Sequence, residues 1–355
     1  MAQDHVFEGQ EPQHQRRIRY KGTHPKNFKE KYKELHPEQY ADDVAKIMQK
    51  GNTPAGMHIS ICVKEILDFL QISPGQTGLD ATLGYGGHTR EMLKQLDGKG
   101  RLYATDVDPI ELPRTKERLA RLGYGPEILE IKQMNFSQID EIHPAGGAFH
   151  FVLADLGVSS MQIDNPERGF SFKTEGLLDL RLNPQKGESA ASRLKELTAD
   201  ELQDMLLEYS DEPHARIIAR AIAATIKKGL EITTTTQLHN VIQQALQASV
   251  PKITDAEIKK SCQRSFQALR IDVNNEFDVL DEFLEKLPAV LAAGGRVAIL
   301  TFHSGEDRRV KKSFKYFLRE GIYREIAPDP IRPTAEECHN NSRARSAKLR
   351  WAIKA

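Results

Sequence analysis

The sequence has few cysteines, no long apolar run and no net charge, and each shortage excludes a class of protein. Its three cysteines, at positions 62, 262 and 338, are odd in number and lack metal-ligand spacing. We therefore expect a reduced chain with neither a disulfide scaffold nor a metal site. No apolar run approaches the ~20 residues of a membrane span. The 50 basic and 50 acidic residues cancel, so any nucleic-acid signal must be local.

Residues 1–50 are predicted to be an extension of the core. The first ten residues have no apolar segment of the kind that a signal peptide carries, so we expect a cytoplasmic protein. From 16 to 33 the chain reads RRIRYKGTHPKNFKEKYK, which is basic with interleaved aromatics. Such residues can contact phosphates and stack on bases. A solvated basic tail is the slightly more common explanation, and both interpretations stay open.

The stretch DATLGYGGH, residues 80–88, is the most informative motif of the chain, because it predicts a glycine-rich turn between a strand and a helix. An apolar strand precedes it and a helix with regular apolar spacing follows it. Gly84, Gly86 and Gly87 allow a sharp turn and close approach of a ligand. The start of the helix then offers free N–H groups to an anionic or carboxylate-bearing nucleotide.

A second strand ends at Asp106, 20 residues after Gly86. At this spacing a carboxylate binds ribose hydroxyls in Rossmann-type folds. NAD and S-adenosylmethionine (SAM) both fit such a site. Thr89 stands where the NAD pattern has a third glycine or alanine, which favours SAM modestly.

Further predicted strands end in polar or aromatic residues. The third strand ends before Phe136, the fourth contains Asp155 near its end, and the fifth, Arg296–Phe302, is followed by His303 and Ser304. Strands alternating with helices predict a parallel α/β sheet, whose ligands bind at the carboxyl ends of the strands. These side chains are therefore expected to share one site.

The alternation stops after the fourth strand. Residues 157–188 form a long loop rich in Gly, Ser, Asn and Pro, and residues 190–262 carry only helical signals. We read this block as a helical domain inserted between strands four and five. The predicted divisions are a basic extension at 1–50, a SAM-binding domain at 51–160 and 264–355, and an inserted loop and helical domain at 161–263.

Several stretches together resemble one family, the RsmH (MraW) SAM-dependent methyltransferases. They are DATLGYGGHTR, YATDVDP, MNFSQID, LADLGVSSMQIDNPERGFSFKTEGLLDLRLNP, SFQALRIDVNNE, GGRVAILTFHSGEDRRVKK and NSRARSAKLRWA. The resemblance runs from about His58 to the C-terminus and implies a Rossmann-like class I SAM-dependent methyltransferase sheet with a small helical insertion. It also implies an enzyme that methylates the exocyclic N4 of a decoding-site cytosine in 16S ribosomal RNA. The basic extension lies outside the common pattern, so the chain is expected to be a long form.

The resemblance also implies site residues and partners. The predicted cofactor-binding residues, from the turn and the resemblance together, are Gly84, Gly86, Gly87, His88, Asp106, Phe136, Asp155 and Gln162. The insertion is expected to recognise the substrate, which is 16S rRNA within the small ribosomal subunit. A homodimer is also expected from the family. We expect no membrane partner.

Cytosine N4 is a poor nucleophile, so an acceptor for its amino hydrogens would help methyl transfer. Asp155 is the first candidate for this catalytic role, and His303 and Ser304 are second candidates for orienting the base. Four arginines are candidates either for phosphate contacts or for structural ion pairs: Arg168, Arg181, Arg270 and Arg308.

The sequence departs from the family where HSLED has become His303-Ser304-Gly305-Glu306-Asp307. Three alternatives stay open. They are a paralogue that methylates another RNA cytosine, a SAM enzyme acting on a small molecule, and a SAM-binding RNA scaffold without turnover.

Overall fold

The structure is a computed structural model that describes residues 60–144 and 146–355. The basic stretch at 16–33 and the predicted extension at 1–50 lie outside the described residues.

Seven strands form one sheet. They are β1 (Thr77–Asp80), β2 (Arg101–Asp106), β3 (Leu129–Gln133), β4 (Phe149–Asp155), β5 (Leu291–Thr301), β6 (Tyr323–Ile326) and β7 (Lys348–Lys354). Their order is β3-β2-β1-β4-β5-β7-β6. The first five strands run parallel, and β7 is antiparallel to both of its neighbours. The predicted α/β fold with a parallel sheet is confirmed for these five strands.

Helices connect and flank these strands. They are α1 (Val63–Leu70), α2 (Gly87–Leu96), α3 (Glu111–Arg121), α4 (Ser160–Asp164), α5 (Ala190–Glu196), α6 (Ala199–Ser210), α7 (Ala215–Lys227), α8 (Thr235–Ser249), α9 (Asp255–Asn274), α10 (Glu276–Val290), α11 (Ser304–Arg319) and α12 (Ala335–Asn340). None of the described helices is long and apolar enough to cross a membrane.

The sheet is buried on both faces because its central strands are apolar throughout. Along β4, Phe151 and Leu153 pack into one core cluster, and Val152 and Ala154 pack into another. Successive side chains of a strand point to opposite faces, which explains the division. Helices α1 and α2 cover the first face, and α10 and α11 cover the second.

A third apolar cluster is built by residues between Leu178 and Leu269, most of them on helices α5 to α9. This cluster gives the helical region a core of its own. Its status as a separate inserted domain stays a prediction. The predicted boundary between residues 263 and 264 falls inside α9, because that helix is continuous from Asp255 to Asn274. Helix α9 therefore links the helical core to the sheet end.

Two strand predictions need correction. The fifth strand was predicted to begin at Arg296, but α10 ends at Val290 and β5 already begins at Leu291. Gly294 and Gly295 therefore belong to the strand. The glycines lie in an irregular part of β5, where its register with β4 shifts. Strand β6 was not predicted, since only one of its four residues is buried and no alternation shows.

Candidate active site

A cavity of about 390 Å³ lies at the carboxyl ends of the parallel strands. It is lined by eight of the ten predicted site residues: Gly84, Gly87, His88, Asp106, Phe136, Asp155, Gln162 and His303. Gly86 and Ser304 do not line it. A larger, more open cleft of about 580 Å³ beside α10 and α11 contains none of these ten residues, although the candidate arginine Arg308 lines it.

The glycine turn has the backbone geometry that its sequence predicts. Gly84 and Gly86 have φ values of +47° and +79°, in the left-handed region that side chains avoid. A Cβ on Gly86 would lie 3.0 Å from Thr115 Cγ2, so Gly86 lets α3 pack closely against the turn. A Cβ on Gly87 would overlap the Ser60 hydroxyl. Gly84 is open, and its backbone faces the cavity.

Asp106 ties the end of β2 to this turn. Its Oδ2 accepts a hydrogen bond from Gly84 N at 2.7 Å, and its Oδ1 accepts one from Asp108 N at 2.9 Å. Burial raises the pKa of Asp106 to about 6, against the lowering effect of these two bonds. A carboxylate has about four lone-pair sites, so each oxygen keeps acceptor capacity for a hydroxyl of a ligand.

Phe136 follows β3 and begins a short 3₁₀ helix, Phe136–Glu141, which Asn135 caps with its side chain. Its ring is edge-on to that of Phe283, with centroids 5.1 Å apart. This contact fixes the orientation of the ring, while part of it lines the cavity. A fixed aromatic ring suits stacking with a flat heterocycle.

Asp155 ends β4 and is held at its backbone, where its N–H donates to Thr82 Oγ1 at 2.6 Å. Its Oδ2 lies 3.5 Å from His88 Nδ1. Its Oδ1 is buried and has no hydrogen-bond partner among the described residues. Burial raises the pKa of Asp155 to about 6; His88 opposes the rise, and the charges of Asp80 and Glu306 add to it. The free oxygen makes Asp155 an acceptor ready for a ligand.

His88 and Gln162 are bonded mainly to protein groups. His88 Nε2 lies 3.0 Å from the carbonyl oxygen of Ile61, which can only accept, so Nε2 carries a proton. Gln162 donates from Nε2 to Asp108 at 2.8 Å and accepts from Ser159 N at 2.8 Å. Both residues line the cavity, and these bonds make them rigid parts of its wall.

His303 and Ser304 diverge although they are adjacent in sequence. His303 caps α11: its Nδ1 accepts from Glu306 N at 3.5 Å, and its side chain is only 10% exposed. Ser304 is exposed and its hydroxyl donates to Asp211 at 3.2 Å, outside the cavity. The first turn of α11 rotates Ser304 away, so it does not meet the other predicted residues.

The sequence reasoning missed part of the cavity wall. Gln267, Arg270 and Asn274 of α9 line it, followed by Glu276 at the start of α10 and Glu306 in α11. The three α9 residues recur at helical spacing, i, i+3 and i+7, and so share one face. This spacing within SFQALRIDVNNE was the available signal.

The four candidate arginines lie in different surroundings. Arg168 donates to the buried Asp108 at 2.7 Å, Arg181 is paired with Asp179 at 2.7 Å, and Arg308 makes an exposed pair with Asp211 at 3.1 Å. Of the four, only Arg270 lines the cavity.

A family model described as the MraW methylase family matches residues 55–355. The chain belongs to this methylase family. The predicted family is therefore confirmed, and the protein is a methyltransferase.

Two curated relatives are similar over nearly the whole chain. "Ribosomal RNA small subunit methyltransferase H 2" of Alkaliphilus metalliredigens is 71% identical over 98% of this chain and 100% of the relative. "Ribosomal RNA small subunit methyltransferase H 1" of Lachnoclostridium phytofermentans is 68% identical over 98% of this chain and 95% of the relative. Among solved structures, a methyltransferase homologue from Pyrococcus horikoshii is 15% identical, with a TM-score of 0.41, over 85% of this chain and 71% of that one.

Proposed function

We propose that the protein transfers a methyl group from SAM to the exocyclic N4 of a cytosine in 16S rRNA, within the small ribosomal subunit. The observation that carries the proposal is the unpartnered, buried Oδ1 of Asp155 in a cavity that begins at a glycine turn. The names of the 71% and 68% identical relatives support the RNA substrate. A ribosomal substrate would place the enzyme in the cytoplasm.

The residues present fit SAM as the cofactor. The open backbone at Gly84 and the start of α2 suit the carboxylate-bearing methionine end. The spare acceptor capacity of Asp106 suits ribose hydroxyls, and the fixed ring of Phe136 suits the adenine. When bound, SAM supplies an activated methyl group, so the protein mainly has to position the acceptor amine.

Asp155 has the second chemical role. As N4 gains a methyl group it must lose a proton, and an ionised carboxylate with a free oxygen can bond to the amine and accept that proton. His88 Nδ1 lies 3.5 Å from the other oxygen, so a doubly protonated His88 would pair with the carboxylate. His303 lines the cavity and is a candidate for orienting the base, whereas Ser304 lies outside the cavity and cannot contact the base there.

The target base has to leave its stack to enter a cavity at the end of the sheet. The helical region with its separate core would hold the surrounding RNA. A homodimer, expected from the family resemblance, stays a prediction.

The function is tested by incubating the protein with methyl-labelled SAM and four acceptors: unmethylated small subunits, naked 16S rRNA, total small RNA and free cytidine. The proposal predicts label in rRNA of the small subunit. Label confined to small RNA would identify a paralogue with another target, and label in cytidine alone would identify a small-molecule enzyme. Binding of SAM without transfer to any acceptor would support a scaffold.

A further inference from the structure

A second group of polar side chains lines the same cavity but comes from helices rather than strand ends. Arg270 and Glu276 lie on either side of Asn275, whose φ of +52° ends α9 and starts α10. Glu306 lies in the first turn of α11, after its cap His303. Apart from His303, none of these residues has a role in the reaction described above.

Arg270 is held so that one nitrogen remains available. Its Nε and Nη2 donate to the two oxygens of Glu276 at 2.8 and 2.9 Å, and both side chains are largely buried. Within the part of the chain that the structure describes, no hydrogen bond is made by Nη1. A two-pronged pair fixes the plane of a guanidinium, so Glu276 acts as a positioning residue for the free N–H groups of Arg270.

Among the described residues, His303 Nε2 and Glu306 Oε1 make no hydrogen bond. Because His303 Nδ1 accepts from a backbone N–H, its proton lies on Nε2, which is buried without a hydrogen-bond partner in the described residues. This atom is 3.1 Å from Glu306 Oε1 but is not aligned with it for a hydrogen bond. The other oxygen of Glu306 accepts from Phe302 N at 2.7 Å. The nearby carboxylate of Glu306 offsets part of the cost of this unbonded N–H, and a ligand atom that accepts from Nε2 would offset the rest.

We propose that Arg270, His303 and Glu306 form the subsite that reads the target base, and that this subsite accepts the amino edge of cytosine and rejects uracil. The inference rests on the proposed function and deepens it. Cytosine presents two acceptors, N3 and O2, and one donor, the N4 amine. The donors Arg270 Nη1 and His303 Nε2 match the acceptors, and the carboxylates of Glu306 and Asp155 match the amine. Uracil has a carbonyl oxygen in place of the amine. This oxygen would face the carboxylates of Glu306 and Asp155, and two acceptors repel each other.

A divalent cation is the competing occupant, since ligand atoms of Glu276, His303 and Glu306 all lie within 4.8 Å of one another. Two contacts argue against it. Both oxygens of Glu276 already accept from the cationic Arg270, and His303 Nε2 carries a proton rather than a lone pair. A base therefore fits these contacts better than a metal ion.

The subsite is tested first without mutation. The protein loaded with S-adenosylhomocysteine is titrated with cytidine 5′-monophosphate or uridine 5′-monophosphate while the imidazole signal of His303 is followed by NMR. Cytidine monophosphate should shift the signal in a saturable way, and uridine monophosphate should not. Equal shifts by both nucleotides, or loss of the signal on adding Mn²⁺ alone at equimolar concentration, would overturn the proposal.

The second test compares Arg270→Lys and Glu306→Gln with the matched control Arg308→Lys. Arg308 is an exposed arginine paired with Asp211 outside the cavity. Single-turnover methylation of small subunits should slow roughly 10- to 100-fold in the first two variants, the loss typical of a missing charged hydrogen bond, with binding of SAM and subunits unchanged. Urea unfolding identifies a variant that fails to fold, and the other variant then carries the comparison.

The outcomes separate the two proposals. If wild-type protein methylates rRNA and Arg270→Lys behaves like Arg308→Lys, the base subsite is wrong and the function stands. If His303 responds to cytidine monophosphate alone but no RNA is methylated, the subsite stands and the function is wrong.

Discussion

Replacing Asp155 by asparagine should make the fold more stable while removing activity. Burial raises the pKa of this carboxyl from 3.8 to about 6, so the folded protein favours the protonated form. The protonated carboxyl stabilises the fold; this contribution to the unfolding free energy is present in full below about pH 4 and is lost as the pH rises through about 6. At neutral pH the ionised carboxylate therefore destabilises the fold, and the uncharged side chain of the Asp155→Asn variant avoids this penalty.

The size of the effect follows from the shift. About two pKa units correspond to roughly 3 kcal/mol of unfolding free energy, at about 1.36 kcal/mol per unit. The Asp155 side chain is 30% exposed to the open cavity, so water screens part of this energy, and we expect a gain of about 1–2 kcal/mol.

Urea unfolding of Asp155→Asn at pH 7.5 and pH 5 measures this gain, with Asp97→Asn, an exposed carboxylate at the end of α2, as the matched control. The gain should fall by about half at pH 5, where much of the wild-type carboxyl is already protonated. Methyl transfer should be lost in Asp155→Asn, and in the wild type kcat/KM should rise with pH up to about 6 and then level off. A gain that does not depend on pH, a less stable variant, or retained transfer would refute the reasoning.

Two further substitutions test the framework around the cavity. Gly86→Ala should weaken SAM binding about tenfold by calorimetry, because φ is +79° and the new Cβ crowds α3. The control Gly98→Ala has a φ of +69° but open surroundings, and it should leave SAM binding unchanged. Equal SAM affinities of the two variants would contradict the role of the turn. Arg168→Ala should lower the urea unfolding free energy by about 3–5 kcal/mol, since it leaves the buried Asp108 charge unpaired. The exposed Arg308→Ala should change it by less than about 1 kcal/mol, and similar losses for both would show that burial of the pair is not decisive.

Much of the site could be predicted from the sequence because parallel strands bring their carboxyl ends together. Asp106 and Asp155 end strands whose apolar runs are clear, and the structure brings both to one cavity with Phe136. The glycine turn was equally visible, since Gly84 and Gly86 adopt backbone angles that other residues avoid.

The rest depends on contacts that no local pattern encodes. Arg270 and Glu276 form one unit only because Asn275 turns the chain between two helices. Ser304 was expected beside His303, but the direction of side chains in the first turn of α11 depends on its cap. Strand β6 is an edge strand with one buried residue, so it lacks the alternation that identifies strands.

The central claim is that Asp155 assists methyl transfer to cytosine N4 in small-subunit rRNA. The most direct measurement digests rRNA from unmethylated small subunits after a single turnover with labelled SAM, and separates the nucleosides. The account predicts label in N4-methylcytidine with wild-type protein and none with Asp155→Asn, which still binds SAM. Label in another nucleoside, or undiminished label with Asp155→Asn, would contradict it.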